Sequence, residues 1–154
     1  MIFATVGTQL PFDRMVEALD HEARRLSEDV FIQTGPTRVQ LEWARGTETV
    51  EPDRFEELVQ SARVLVSHAG IGSILMAAAH IKPLIIVPRR KSLGEHRNDH
   101  QLATARKLES REGIYVAWQV SDVSGFLSEQ TLVPVQPAVN PMLQDLIERI
   151  RNFI

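Results

Sequence analysis

The alternation of short apolar runs with helical segments constrains the fold of this chain more than any other feature. Val64–Ser67 and Leu84–Pro88 are continuous apolar runs typical of buried strands, and the segment from about Ser73 to His80 between them has helical character. Strands joined through helices in this way favour a parallel sheet, because the helix returns the chain to the edge where the first strand began.

The same alternation continues on both sides of this unit. Apolar runs predict further strands at Ile2–Gly7, Val30–Thr34, Val39–Trp43 and Ile114–Trp118, the third of them at a sheet edge. Helical spacing predicts helices at Phe12–Leu26, from Pro52 through Val59, from about Asp99 to Leu108, and from Asp122. We therefore expect one Rossmann-like α/β domain over residues 1–154, with a parallel sheet covered on both faces. Residues 131–140 are predicted to form an extended connector, and Pro141–Ile154 an apolar C-terminal helix.

Composition excludes several classes of function. The chain has no cysteine, so disulfides and thiolate metal sites are excluded. Its net charge of −3, with 17 Lys and Arg among 20 Asp and Glu, does not favour nucleic-acid binding. No stretch approaches the roughly 20 apolar residues of a membrane span, and the first residues do not resemble a signal peptide. We expect a cytoplasmic protein whose link to a membrane comes through a partner.

The turn after Val64–Ser67 is the strongest candidate for a binding site. Gly70 and Gly72 allow close approach of a ligand to the backbone, and the following helix directs its free N–H groups at the turn. Ser73 can add a hydroxyl and His68 a hydrogen-bond donor or a cation, so a diphosphate would suit this position. The alternative, about equally supported by spacing alone, is that Ser73 caps the helix and the glycines only shape the turn.

Two other polar segments follow predicted strands. Gly7 and Thr8 come after the first strand, and Asp13 follows as either a general base or a helix-capping residue, the latter being favoured by position. The carboxyl ends of parallel strands share one edge of a sheet, so these residues are expected to lie near the glycine turn.

The loop Pro88–Gln101 is the third polar segment. Asn98 and Gln101 have the spacing of a capping box, but that pattern does not account for Glu95, His96 and Asp99. Carboxylates and amides within one turn suit sugar hydroxyls. Arg89 and the neighbouring cations can neutralise a phosphate or a carboxylated sugar, or form a solvated basic surface. No His, Asp and Glu set has the spacing of a zinc site.

The segments "SHAGIGSILMAAAHIKPLIIVP" and "NDHQLATA" resemble the C-terminal domain of family 28 glycosyltransferases. The resemblance is closer to the free-standing form of that domain, such as the catalytic subunit of the dolichol-linked GlcNAc transferase. "TVGTQLPFDR" and "PRRKSLGEHRNDHQ" resemble bacterial exopolysaccharide members of this group.

The resemblance implies the donor-binding half of a GT-B glycosyltransferase that uses a UDP-sugar and needs no metal or other cofactor. It places His68, Gly70, Gly72 and Ser73 around the donor diphosphate. Gly7 and Thr8 would line the opposite wall, while Asp99 and Gln101 would bind sugar hydroxyls with Asn98 nearby. Relatives that carry an acidic ribose-binding residue have it where this chain has Met76, which cannot accept those hydrogen bonds.

The family also implies an inverting displacement, with a general base supplied by the partner or by Asp13 or His96 of this chain. The partner would be a membrane-anchored, acceptor-binding subunit that contacts the C-terminal helix and recruits the chain to the inner face of the membrane. The loop cations suggest UDP-glucuronate as one donor hypothesis. Two alternatives stay open: a non-catalytic accessory subunit, and a homo-oligomer formed through the apolar helix.

Overall fold

The computed structural model describes residues 1–137, which form one six-stranded parallel sheet with helices on both faces. The strands are β1 (Ile2–Thr5), β2 (Val30–Gln33), β3 (Arg45–Thr47), β4 (Val64–His68), β5 (Leu84–Val87) and β6 (Ile114–Val116). The helices are α1 (Asp13–Ala23), α2 (Pro52–Ser61), α3 (Ile71–Ala79), α4 (His100–Leu108) and α5 (Asp122–Ser128), with a short 3₁₀ turn at Lys91–Leu93.

The order of the strands is β3-β2-β1-β4-β5-β6, and every neighbouring pair is parallel. The chain builds outward from β1 to β3, and then crosses to the other side of β1 to place β4. This reversal puts a topological switch point between β1 and β4, where open α/β sheets bind ligands beyond the carboxyl ends of the strands.

The sheet is buried on both faces because successive strand residues point to opposite sides. Ile2 and Ala4 of β1 belong to the hydrophobic cluster that contains α1 and α5, whereas Phe3 belongs to the cluster that contains α2, α3 and α4. The predicted fold class, a Rossmann-like domain with a parallel sheet covered on both faces, is confirmed.

The predicted edge strand at Val39–Trp43 is wrong, since β3 comes later, at Arg45–Thr47. Val39 and Leu41 are apolar because they pack against the core that contains α1, without pairing as a strand. The carboxylate of Asp20 on α1 accepts the backbone N–H groups of residues 42–44 at 2.7 to 3.0 Å, and so holds this segment outside the sheet.

The other strands and helices predicted within residues 1–137 exist, with shifted boundaries. The helix predicted from Ser73 begins two residues earlier, at Ile71, with Gly70 as its N-cap, so Ser73 is not the capping residue. Residues 131–137 have no regular secondary structure, and Val135 among them is fully buried. The predicted helix at Pro141–Ile154 lies outside the described residues. Within residues 1–137, no helix is both long enough and apolar enough to cross a membrane.

Candidate functional site

A cleft of about 270 Å³ lies at the carboxyl ends of β1, β4 and β5. It is lined by residues 6–10 of the loop after β1 and by His68, Arg89, His96 and Gln101. The structure therefore brings together Gly7, Thr8, His68, Arg89, His96 and Gln101, which the sequence had placed in three separate segments. They lie close together because the sheet is parallel, and each of them lies at or beyond the carboxyl end of a strand.

Gln101 joins two of these strand ends. Its side-chain oxygen accepts the backbone N–H groups of Ala69, at 3.2 Å, and Arg89, at 3.0 Å. Its side-chain nitrogen lies 3.1 Å from Nδ1 of His68. Gln101 is buried and sits in the first turn of α4, so it fixes that helix against β4 and β5.

His68 is held neutral by its surroundings. Burial, followed by the nearby charge of Arg89 and the neighbouring His96, lowers the pKa of His68 from 6.5 to about 4. At neutral pH the ring therefore meets a ligand as an uncharged hydrogen-bonding group. The imidazolium that the sequence had allowed as an alternative is disfavoured.

Arg89 shapes the loop that forms one wall of the cleft. Arg89 is 2% exposed, and its guanidinium donates to the carbonyl oxygens of four residues: Val6, Leu10, Pro11 and Glu95. It also lies 4.6 Å from the ring centre of Phe12. Burial lowers the pKa of Arg89, and the carboxylate of Glu95 opposes this shift. Donor binding by Arg89 stays a prediction; both of its Nη atoms are used on these carbonyl oxygens.

Glu95 lies behind the cleft and does not line it. Its carboxylate accepts hydrogen bonds from Nε of Arg14 at 2.7 Å, from Nη2 of Arg14 at 3.0 Å and from the backbone N–H of Arg90 at 2.9 Å. The role of Arg14 could not be predicted from the sequence, because its partner lies 81 residues away. This pair holds the loop after β5 against the start of α1.

The first turn of α3 presents unpaired N–H groups beside the cleft. No side chain among residues 1–137 caps this helix, whose N-cap is Gly70. A Cβ on Gly70 would stand 2.3 Å from Cε1 of His68, so only glycine leaves room for that ring. A Cβ on Gly72 would meet nothing within 4 Å, so the space above the helix terminus is open. Such a terminus favours anions.

The hydroxyl of Ser73 belongs to a buried chain of hydrogen bonds. Ser67 Oγ donates to the carbonyl oxygen of Thr5 at 3.0 Å and lies 2.6 Å from Ser73 Oγ. Because the single proton of Ser67 is used on Thr5, Ser73 is the donor in the second bond. A ligand would therefore find an acceptor at Ser73, unless the chain of hydroxyl protons reversed.

The remaining predicted residues lie around the cleft. Asp99 is the N-cap of α4 and accepts the backbone N–H of Lys91, at 3.0 Å, and Asn98 accepts that of His100, at 3.1 Å. The capping box suggested for Asn98 and Gln101 does not form, since Gln101 is directed at β4 and β5. Asp13 does not cap α1, whose N-cap is Phe12 and which no side chain of residues 1–137 caps. It lies in the first turn, where a negative charge suits the helix dipole, and accepts the backbone N–H of Arg38 at 3.3 Å.

Comparison with known proteins identifies the family. Residues 1–132 match the glycosyltransferase family 28 C-terminal domain. The human UDP-N-acetylglucosamine transferase subunit ALG13 is 32% identical over 126 residues, which cover 73% of this chain and 10% of that protein. The subunit of the same name from Eremothecium gossypii is 33% identical over 104 residues, which cover 64% of this chain and 49% of that protein. The chain thus spans about half or less of the length of these two relatives.

Solved structures agree with the fold. The crystal structure of Acinetobacter baumannii MurG superposes with a TM-score of 0.65 at 16% identity, over 97% of this chain and 49% of that one. The single α/β domain is therefore similar to the C-terminal half of a GT-B glycosyltransferase. The predicted resemblance is confirmed by the match over residues 1–132, and the chain belongs to the glycosyltransferase family 28 C-terminal domain family.

Proposed function

We propose that this chain is the donor-binding subunit of a glycosyltransferase that moves a sugar from a UDP-sugar to a lipid-linked acceptor. The observation that supports it most is the cleft at the switch point between β1 and β4, beside the uncapped N-terminus of α3. A nucleoside diphosphate needs donors of this kind, because the charge that develops on the leaving diphosphate must be stabilised where it forms.

The donor we favour is UDP-N-acetylglucosamine, the sugar nucleotide in the names of the two relatives. The hypothesis of UDP-glucuronate depended on the loop cations, and the structure weakens its basis. Arg89 is directed at four carbonyl groups and Arg90 at the carbonyl of Trp118, which leaves the exposed side chains of Lys91 and Arg97 to meet a carboxylated sugar.

We propose that a membrane-anchored subunit supplies the acceptor side of the site. This chain covers 49% of the length of MurG, and the proposal assigns to that subunit the part of such a site that this chain does not cover. Three large apolar side chains around the same sheet edge are exposed, Leu10 at 42%, Ile71 at 67% and Leu93 at 56%. An apolar rim around a polar cleft suits a protein partner. Contact through the C-terminal helix stays part of this proposal, as does action at the cytoplasmic face of the membrane in exopolysaccharide synthesis.

In the proposed mechanism the acceptor hydroxyl attacks the anomeric carbon, the bond to the diphosphate breaks, and the configuration inverts. His96 lines the cleft, so of the two candidate bases in this chain it is the better placed, ahead of Asp13. We propose that transfer proceeds without a resident metal ion, with the α3 terminus and His68 stabilising the diphosphate. Among residues 1–137, no three His, Asp or Glu side chains are grouped so that they could hold one.

The test is calorimetric titration of the chain with UDP, UDP-N-acetylglucosamine and UDP-glucuronate, with and without EDTA. We expect UDP to bind, UDP-N-acetylglucosamine to bind more tightly than UDP-glucuronate, and EDTA to have no effect. Product formation on a lipid-linked acceptor should require both this chain and the partner subunit. Absence of UDP binding by the complex, with activity of the partner alone, would assign this chain an accessory role instead.

A further inference from the structure

We infer that Gln101 is a positioning residue, which fixes the proton of His68 on the ring nitrogen that faces the cleft. This inference deepens the proposed function, because the group it orients is the one placed to meet the donor diphosphate. It differs from the interpretation in which Gln101 binds sugar hydroxyls directly.

The orientation of the Gln101 amide is set by its oxygen. That atom lies 3.2 Å from the backbone nitrogen of Ala69 and 3.0 Å from that of Arg89. Both backbone groups are donors, so the atom between them must be the acceptor. The amide nitrogen is then the atom that faces His68, and it can only donate.

The tautomer of His68 follows from this geometry. Nδ1 of the ring lies 3.1 Å from the amide nitrogen of Gln101 and must accept its N–H. A neutral ring has one proton, so that proton is on Nε2. Nothing in the backbone of β4 imposes this choice, which is made by the side chain of Gln101.

Nε2 is the nitrogen that faces the cleft. It lies 3.5 Å from the position that a Cβ on Gly7 would occupy, and Gly7 lines the cleft together with His68. Among residues 1–137, Nε2 has no hydrogen-bond partner. Every buried polar side-chain atom in these residues does have a partner, so Nε2 is not buried. Nε2 is therefore an accessible N–H donor beside the first turn of α3. An anionic oxygen held there would accept from it.

The groups around His68 make the tautomer matter. Burial, with the charge of Arg89 and the neighbouring His96, keeps the ring uncharged. Since the ring contributes no charge, its effect on a diphosphate depends on whether Nε2 carries a proton or a lone pair. A donor attracts the anion, whereas a lone pair repels it.

Gln101→Glu separates positioning from structural support. A carboxylate still accepts from Ala69 and Arg89, so the strand ends stay joined, but it cannot donate to His68. Nδ1 must then carry a proton. The ring becomes an imidazolium at low pH and the Nδ1–H tautomer at high pH, with a lone pair facing the cleft. Gln130→Glu, at an exposed site away from the cleft, is the matched control.

The first experiment is nitrogen NMR of the full chain labelled at histidine, with the His68 signals assigned by a His68→Gln variant. We expect the proton on Nε2 in the wild type and in Gln130→Glu, and a protonated Nδ1 in Gln101→Glu. A wild-type proton on Nδ1, or an unchanged tautomer in Gln101→Glu, would overturn the inference. This result does not depend on any ligand.

The second experiment measures UDP-N-acetylglucosamine affinity between about pH 5.5 and 8.5, where the wild-type ring stays neutral. In Gln101→Glu we expect affinity to fall by on the order of tenfold or more as pH rises, relative to wild type at each pH. UDP affinity should fall alongside it, because the lost donor faces the diphosphate. Loss confined to the sugar nucleotide at all pH values would instead assign Gln101 to the sugar and overturn positioning. If the wild type binds neither nucleotide, the proposed function fails, and the NMR result still decides the tautomer.

Discussion

Arg14 and Glu95 form a two-pronged ion pair between the start of α1 and the loop after β5, with Nε–Oε1 at 2.7 Å and Nη2–Oε2 at 3.0 Å. Both side chains are largely buried, at 22% and 10% exposure. The carboxylate also accepts the backbone N–H of Arg90, so it holds the first residues of the loop as well. Since that loop contains His96, the pair supports one wall of the cleft.

Glu95→Gln should therefore lower the free energy of unfolding by about 2 kcal/mol, because a neutral amide cannot pair with both guanidinium nitrogens and leaves a charge poorly compensated. Urea unfolding measures the change. Glu57→Gln removes a similar carboxylate from an exposed pair with Arg54 and should cost less than about 0.5 kcal/mol. Equal effects in the two variants would contradict the supporting role of Glu95.

Arg89→Lys tests whether the guanidinium acts by shape as well as by charge. An ammonium keeps the charge but cannot reach four carbonyl oxygens from one planar group, so the loop of residues 6–11 should loosen. We expect a loss of about 3 kcal/mol in unfolding free energy, because buried carbonyl groups are left unpaired. Arg97→Lys, at an exposed site in the loop after β5, should unfold like the wild type. A stable Arg89→Lys variant would show that charge alone is sufficient.

The fold was predictable from sequence wherever a strand is buried on both faces. Apolar runs such as Leu84–Val87 can occupy few other environments, and helices between them require parallel pairing. The edge strand β3 was missed because Arg45–Thr47 has no apolar pattern. Among residues 1–137 it pairs only with β2. Its Gly46 lies so close to β2 that a Cβ there would stand 2.3 Å from the carbonyl oxygen of Ile32.

The site was predictable in its location but not in its internal pairing. Residues that follow strand ends in a parallel sheet meet at one edge, which is why His68, His96 and Gln101 were found together. Whether a polar side chain is paired with other groups of the protein depends on the distances between segments that lie far apart in the chain. Arg89 reaches carbonyl oxygens 78 to 83 residues away, and no local pattern marks such a contact.

Asp20 should give the protein a specific loss of stability in acid. Burial alone would raise the pKa of this carboxyl, but three backbone N–H groups from residues 42–44 outweigh it, and the pKa lies below its ordinary value of 3.8. A carboxyl whose pKa is lower in the folded than in the unfolded state stabilises the folded state at pH values above its unfolded pKa. This contribution is lost as pH falls through the folded pKa.

Asp20→Asn should therefore be destabilised by about 2 kcal/mol at neutral pH, since the amide replaces one acceptor oxygen with a donor. The difference in unfolding free energy between wild type and variant should narrow as pH falls from about 5 to 2. Urea unfolding across this range measures it. Asp29→Asn removes an exposed carboxylate and should differ little from wild type at any pH. If the difference in unfolding free energy between wild type and Asp20→Asn stayed constant with pH, the lowered pKa of Asp20 would not contribute to stability.

Gly70→Ala should disturb the cleft through His68. The backbone at Gly70 is extended, with φ −93° and ψ 147°, so alanine suits it, but the new Cβ would stand 2.3 Å from Cε1 of the ring. The ring must move, and with it the N–H that faces the cleft. We expect UDP affinity to fall by on the order of tenfold, because a hydrogen bond to a charged group is lost. Unchanged affinity in calorimetry would show that the position of His68 is unimportant for binding.

Gly72→Ala is the matched change two residues further on, and its outcome separates binding from folding. Gly72 is already helical and its Cβ would meet nothing within 4 Å, so alanine should stabilise the helix by up to about 1 kcal/mol. The same methyl group would occupy the space above the first turn of α3, where the proposed diphosphate approaches the backbone. We therefore expect a variant that unfolds at equal or higher urea concentration and binds UDP more weakly than the wild type. If UDP binds equally well to this stable variant, the diphosphate does not lie over Gly72, and the helix terminus is not its binding site.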